Sequence, residues 1–415
     1  MKIEMGFIGV GGRGLGMLER TLRKFPDVDV IAVCDTYADR VDECCKLIKD
    51  KRNIIASGYT DYKELLKNTE VNAVLICAAW EAHVTLACDA MEAGKITALE
   101  VGGAYSIDDC WKLVRTYEKT KTPFMFLENC CYGKYELLIT GMIKKGILGE
   151  IVYCHGAYRH DLRDEIAYGV KNRHYRLRNY LVRNCDNYPT HELGPIAKIL
   201  NINRGNRMLT LNSVSSKARG LSEYVKGKDD LSDLHDKTFA QGDVVRTLIT
   251  CADGTLISLK LDTTLPHTYS RELTIEGTKG MFCEDGAYVL KEGEFDHHTP
   301  LSEVYKNADN YMRYMPKDWK ELSEDSSGIC HESIDYYTLK SFFDHIESGE
   351  EMPIDVYDAA AWMCISCLSE LSIKNNGAPV EIPDFTCGGW IMREPKDVMD
   401  FSEENELYKQ ENFKE

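Results

Sequence analysis

Short apolar runs and amphipathic stretches alternate along the first third of the chain. The runs are IEMGFIGV, VDVIAVCD, AVLICAA, KITALE and TPFMFL. Between them, apolar residues recur at helical spacing near 15–25, 38–50, 61–68, 82–93 and 106–119. Near-continuous apolar strands separated by helices make βαβ units, whose strands run parallel and are covered on both faces. Residues 133–147 read as one further amphipathic helix ending at a glycine. From residue 150 the style changes. Strand-like runs follow one another directly: IVYCHGAYR, MLTLNSVSS, DVVRTLITC, TLISLKLDT, RELTIEG and GAYVLKEG. Turn signals such as ADGT and EGTKG join several of them, which predicts an antiparallel sheet. Residues 332–348 and 355–374 carry helical patterns, and 290–330 is polar and irregular, read as an insertion or lid. The expected architecture is therefore an α/β domain with a parallel sheet over 1–130. An α+β domain with a large open, mostly antiparallel sheet follows over 131–415.

Composition narrows the class. With 415 residues the chain can bury large cores, and 44% hydrophobic with 28% charged residues fits a globular enzyme. The formal net charge of −17 repels nucleic acid and anionic lipid, so neither is an expected partner. No run approaches the ~20 apolar residues of a membrane helix, and the chain opens directly on a strand pattern. A cytoplasmic setting with reduced thiols is expected for the 16 cysteines. Cys364 and Cys367 form a C-x-x-C, but inside a helical pattern and without a second cysteine pair. No metal ligand set is assigned.

The first strand ends in Gly9-Val10-Gly11-Gly12-Arg13-Gly14 and runs into a helix. In a Rossmann domain the first glycine makes the tight turn and the second lets the backbone approach a pyrophosphate. The third packs helix on strand, and the helix N-terminus faces the anion. Asp35, at the end of the second strand, is placed to accept hydrogen bonds from ribose hydroxyls, which favours NAD over its 2′-phosphorylated form. Three more segments follow strand ends, where ligands of such sheets gather: Ala79 to His83 with Trp80, Glu100 to Gly103, and Glu128-Asn129. His83 reads equally as a cofactor contact or as a satisfied residue at a helix start.

The densest polar and aromatic stretch spans Arg176 to Arg178 and Asn184 to Pro195. Tyr188 and His191 stand three apart with Pro189 between them, just where a helix begins. The helix N-terminus favours deprotonated forms of nearby groups, and a tyrosine with a histidine can move protons at a sugar carbon or hydroxyl. The same two residues could instead only cap and pack the helix.

GFIGVGGRG, Asp35, the AAWEAH turn and EVGGA together resemble the Gfo/Idh/MocA oxidoreductase family. RNCDNYPTHELGPIAKILNINRGNRM, HTYSRELTIEGTKG and PIDVYDAAAWMCISCLSELSIKNNGAPVEIPDF are similar to one branch of it, glycoside hydrolase family 109, whose known members are NAD-dependent α-N-acetylgalactosaminidases. The similarity is weakest in 220–240 and 290–330. It implies a tightly bound, recycled NAD. Sugar C3 is transiently oxidised, C2 is deprotonated, the aglycone is eliminated, water adds, and C3 is reduced again. Residue by residue it assigns cofactor contacts to Gly12, Arg13, Asp35, Trp80, His83, Glu100, Val101, Asn129, Tyr188 and His191. It assigns substrate contacts to Tyr158, Arg176, Tyr188 and Tyr269, and the acid/base roles to Tyr188 and His191.

Two departures bear on this. The wider family has Glu-Lys-Pro where this chain has Glu100-Val101-Gly102, so its usual catalytic lysine is missing. Glu192 stands where the hydrolase branch usually has glycine, and a carboxylate beside His191 is expected to change the pocket charge or the accepted sugar. Two other readings of the same residues stay open: an NAD-dependent sugar or cyclitol dehydrogenase releasing a keto product, and a non-catalytic NAD-sensing protein. The expected partner is a small glycoside, and the open sheet face predicts a homo-oligomer, dimer or tetramer.

Overall fold

The computed structural model describes residues 2–322 and 332–408. They fall into two compact units. The first holds the chain through Asn129 together with a later segment ending at Met363; the second holds Cys130–Leu322 and the chain from Cys364.

In the first unit, β1 (Ile3–Ile8), α1 (Gly12–Lys24), β2 (Val28–Cys34), α2 (Ala38–Arg52), β3 (Ser57–Tyr59) and α3 (Tyr62–Lys67) come first. They are followed by β4 (Ala73–Ile76), α4 (His83–Glu92), β5 (Ile96–Leu99), α5 (Ile107–Thr120) and β6 (Phe124–Phe126). The six strands are parallel in the order β3-β2-β1-β4-β5-β6. Every residue of β4 and β6 is buried, as the continuous apolar runs require of a sheet covered on both faces. Strand order reverses between β1 and β4, and the crevice outside their carboxyl ends is where such sheets bind ligands.

The second unit opens with α6 (Lys134–Lys144), β7 (Ile151–Arg159), α7 (Arg163–Ala167), α8 (Arg176–Val182) and α9 (Thr190–Ile199). Then come β8 (Met208–Ser215), α10 (Gly220–Lys226), β9 (Val244–Cys251), β10 (Leu256–Asp262), β11 (Thr274–Gly277), β12 (Gly280–Cys283) and β13 (Tyr288–Lys291). The chain continues with α11 (Glu332–Ser348), α12 (Val356–Lys374) and β14 (Val380–Glu381). The eight-stranded sheet runs β13-β12-β11-β7-β10-β9-β8-β14, and its one parallel pair is β7 with β10. Val245, Thr247 and Ile249 of β9 and Ile257, Leu259 and Leu261 of β10 point to the buried face. Arg246, Leu248 and Thr250 point outward. Helix α11 and α12 as far as Met363 belong to the first unit. There Tyr336 stacks on Phe25 at 5.3 Å, and Trp362 lies 6.2 Å from Phe126.

The irregular stretch 290–330 is described as far as residue 322. It holds short 3-10 turns at Leu301–Glu303 and Asn307–Tyr314; its remainder lies outside the described residues. Among the described residues no cysteine is in a disulfide, and no helix is long and apolar enough to cross a membrane.

Candidate active site

In the first unit the glycine-rich turn behaves as its spacing requires. Gly9 has φ +86°, and a Cβ there would lie 2.6 Å from the Cys77 carbonyl oxygen. A Cβ on Gly14 would lie 2.0 Å from the Gly9 carbonyl oxygen, whereas one on Gly12 would meet open space. Helix α1 starts without a side-chain cap and without an acidic residue in its first turn. Its leading N–H groups thus have the geometry and charge that suit a pyrophosphate. Asp35, buried at the end of β2, accepts from the Val10 amide at 2.9 Å and the Tyr37 amide at 3.0 Å, with the Arg40 guanidinium at 3.8 Å. These features fit a dinucleotide.

Arg13 is partly exposed and is held by carboxylates. It donates to Glu100 Oε2 at 3.1 Å and to both oxygens of Asp335 at 2.7 and 2.9 Å. Asp335, buried on α11, also accepts from Arg20 at 3.0 Å and from Asn129 Nδ2 at 2.7 Å. Burial alone would raise the Asp335 carboxyl, but the two guanidiniums outweigh it and hold it below its usual range. Arg13, Glu100 and Asn129 were all expected at the cofactor; Asp335, which joins Arg13 to Asn129, was not. Trp80 is buried, and a Cβ on Gly102 would come within 2.5 Å of its indole, so a glycine at 102 lets the ring lie on the Glu100–Gly103 loop. Val101 is buried there as well. His83 opens α4, and its Nε2 meets the Ala78 carbonyl at 2.9 Å. Burial pulls its pKa down to about 4, so the ring is neutral at neutral pH.

In the second unit four predicted residues come together. Tyr188 Oη lies 3.4 Å from His191 Nε2, at the start of α9. The Tyr158 ring is 4.8 Å from that of Tyr188 and 5.5 Å from that of His191. The Arg176 guanidinium sits over the Tyr188 ring at 5.0 Å and reaches Glu165 Oε1 at 2.6 Å. Arg176 is buried, so it is no ordinary surface charge. Tyr269 is 39% exposed, and its ring lies 6.2 Å from Tyr158 and 5.1 Å from His160. His160, whose Nδ1 is 3.3 Å from Tyr158 Oη, was missed in the sequence; its position two residues beyond Tyr158 was the available signal. Burial and then Arg176 lower its pKa, while burial raises that of Tyr158, which keeps its proton.

Close packing sets this cluster. Gly156 and Tyr158 share the face of β7 that meets α9, and a Cβ on Gly156 would lie 2.6 Å from the Glu192 carbonyl oxygen. The backbone of α9 therefore lies directly on the strand. One expectation is corrected here: Glu192 does not place a carboxylate beside the His191 ring. Its side chain is buried against β10, with Oε2 accepting from the Lys260 amide at 2.8 Å. One residue along a helix is about 100° of rotation, enough to send neighbouring side chains to different faces.

Residues 3–127 match the oxidoreductase family with an NAD-binding Rossmann fold, and residues 132–392 match the glycosyl hydrolase 109 C-terminal domain. An α-N-acetylgalactosaminidase of Tannerella forsythia is 34% identical over 95% of this chain and 88% of its own length. A glycosyl hydrolase family 109 protein of Phocaeicola vulgatus is 36% identical over 94% of this chain and 96% of its own. Among solved structures, a levoglucosan dehydrogenase in complex with NADH has a TM-score of 0.70 at 17% identity, over 92% of this chain and 100% of that one. An oxidoreductase of Agrobacterium radiobacter, in complex with NAD+, L-tartaric acid and magnesium, has a TM-score of 0.68 at 17% identity, over 92% of this chain and 99% of that one. Likenesses at this identity carry the fold alone.

Proposed function

The chain belongs to glycosyl hydrolase family 109 and is an NAD-dependent enzyme, and on that premise we propose that it cleaves a small glycoside by redox-assisted elimination. The observation that carries the reading is the Tyr188–His191 pair at the head of α9, ringed by Tyr158 and Arg176. When bound, NAD supplies reversible oxidation of sugar C3, which acidifies the proton on C2. Tyr188 and His191 are hydrogen-bonded neighbours, so one can take that proton while the other returns one to the leaving oxygen. Arg176 brings positive charge to within 5.0 Å of the Tyr188 ring, where negative charge develops during proton removal. Tyr158 and Tyr269 supply aromatic walls for the apolar face of a sugar. Ordinary glycosidases obtain the same result from two carboxyl groups flanking the bond.

The substrate to try first is an α-N-acetylgalactosaminide, the one named for the Tannerella forsythia relative. A panel of aryl α- and β-glycosides tests the reading. Release of aglycone, with no lasting rise in NADH absorbance, is expected. Lasting NADH equal to the sugar added, with the glycosidic bond intact, contradicts it and favours a dehydrogenase.

Small imported glycosides in the cytoplasm are the proposed setting. Self-association through the outward sheet face, where Val214, Leu248 and Leu256 are exposed, is the proposed assembly.

A further inference from the structure

Glu192 and Asp186 are both fully buried beneath the Tyr188–His191 turn, and each carboxyl has one oxygen accounted for. Glu192 Oε2 takes the Lys260 amide at 2.8 Å. Asp186 Oδ2 takes the Thr247 hydroxyl at 3.5 Å, and the Tyr188 backbone favours the charged form of Asp186. The remaining oxygens, Glu192 Oε1 and Asp186 Oδ1, meet no donor, and the two carboxyl groups act on each other at close range. Two ionised carboxylates have no hydrogen to share, and burying both charges together is costly. One proton between them satisfies both oxygens. Burial raises the Asp186 carboxyl to about 6, and burial together with Asp186 itself raises Glu192 further.

The surrounding charges leave room for one proton. On β9, Arg246 is exposed and favours ionisation of Glu192, while Thr247 offers only a hydroxyl. On β10, the Lys260 ammonium is taken on the outer face by Glu272 at 2.9 Å and Asp262 at 3.7 Å. From β7 the backbone of Gly156 packs on Glu192. From α12, Ser369 Oγ accepts the Asp186 amide at 2.9 Å, and Glu370 is paired with Arg183 at 2.9 Å. Next to Asp186, burial keeps the Cys185 thiol protonated. His191 and Tyr188 belong to the turn itself.

We propose that Glu192 is a neutral carboxylic acid whose Oε1–H donates to Asp186 Oδ1, and that this shared proton positions the Tyr188–His191 turn. Glu192 is thus a positioning residue, acting through Asp186, two residues before Tyr188 and electrostatically coupled to its backbone. The proposal rests on the acid/base reading of Tyr188 and His191 for its catalytic consequence, but not for the proton itself.

Infrared difference spectra of the holoenzyme in D2O at neutral pH test the proton directly. The carbonyl stretch of a protonated carboxylic acid is expected in the wild type and its loss in Glu192→Gln. The absence of any such Glu192-dependent band overturns the proposal. The side-chain amide that Glu192→Gln introduces keeps a donor toward Asp186 and an acceptor for Lys260, so this variant is expected to hold turnover within a few-fold. Its kcat/KM should persist to higher pH, because an amide has no proton to lose. Glu192→Leu lacks the donor and is expected to lose 10-fold or more in kcat with NAD binding unchanged; superimposable pH profiles for wild type and Glu192→Gln overturn the positioning role. Thermal unfolding gives a second measure without substrate. A carboxyl raised on folding loses stability as pH climbs from its unfolded value toward its folded one, so the wild type should decline in that window and Glu192→Gln should not. If the band is present but no glycoside is cleaved, the shared proton stands and the glycosidase reading fails.

Discussion

Removing Asp335 leaves the buried Arg20 and the partly exposed Arg13 without the carboxylate that both share, and takes one acceptor from Asn129. Breaking a buried ion pair by deleting one partner costs about 3–5 kcal/mol. Asp335→Ala is therefore expected to lower the unfolding free energy by that order in denaturant titration and to weaken NAD binding in a fluorescence titration. Unchanged stability and affinity contradict the role given to Asp335. At this scale the sequence marks candidate residues more readily than it tells what each one touches. Arg13, Glu100 and Asn129 were legible because motif spacing and strand ends mark them. Asp335 was not, because it lies 206 residues beyond Asn129 on a helix whose pattern gives it no distinction. Glu192 was legible as an oddity, but the direction of its side chain depends on helix phase and on a strand met only in the folded chain.

Among the elements, α9 and β7 decide the geometry of the acid/base pair. Their contact is backbone on backbone at Gly156, so an added methyl has no flexible side chain to displace. Gly156→Ala should cost about 1–3 kcal/mol through overpacking. It should also lower kcat with little effect on NAD binding, as seen by comparing kcat with the cofactor titration. A variant with wild-type kcat would show that α9 is not positioned by this contact. Long periodic elements were readable: α11 matches the pattern over 332–348, and β7 matches IVYCHGAYR. Strands β3, β12 and β14, of three, four and two residues, were not read, because a period of two is barely expressed in so short a run. Helices α7, α8 and α10, of five to seven residues, are equally short, and their stability comes from packing instead of pattern.

At the scale of the whole molecule, the change of style near residue 130 foretold one parallel and one mostly antiparallel sheet, and both are present. The return of α11 and the first part of α12 to the first unit was not foretold, because membership of a core depends on contacts distant in sequence. The outward face of the second sheet carries Val214 on β8, Leu248 on β9 and Leu256 on β10. An exposed apolar patch on a sheet commonly marks an interface. Light scattering on the purified protein is expected to give a dimer or tetramer, and Leu248→Arg is expected to shift it toward monomer. A wild-type monomer at micromolar concentration contradicts the assignment.

The central claim is that the glycosidic bond breaks by elimination after C2 loses its proton, with Tyr188 and His191 moving protons. Turnover of an aryl glycoside in D2O, followed by mass spectrometry and NMR of the released sugar, tests it most directly. The account predicts one deuterium at C2 of the product, and loss of both cleavage and exchange in Tyr188→Phe and His191→Ala that still bind NAD. Cleavage that leaves hydrogen at C2 would contradict it.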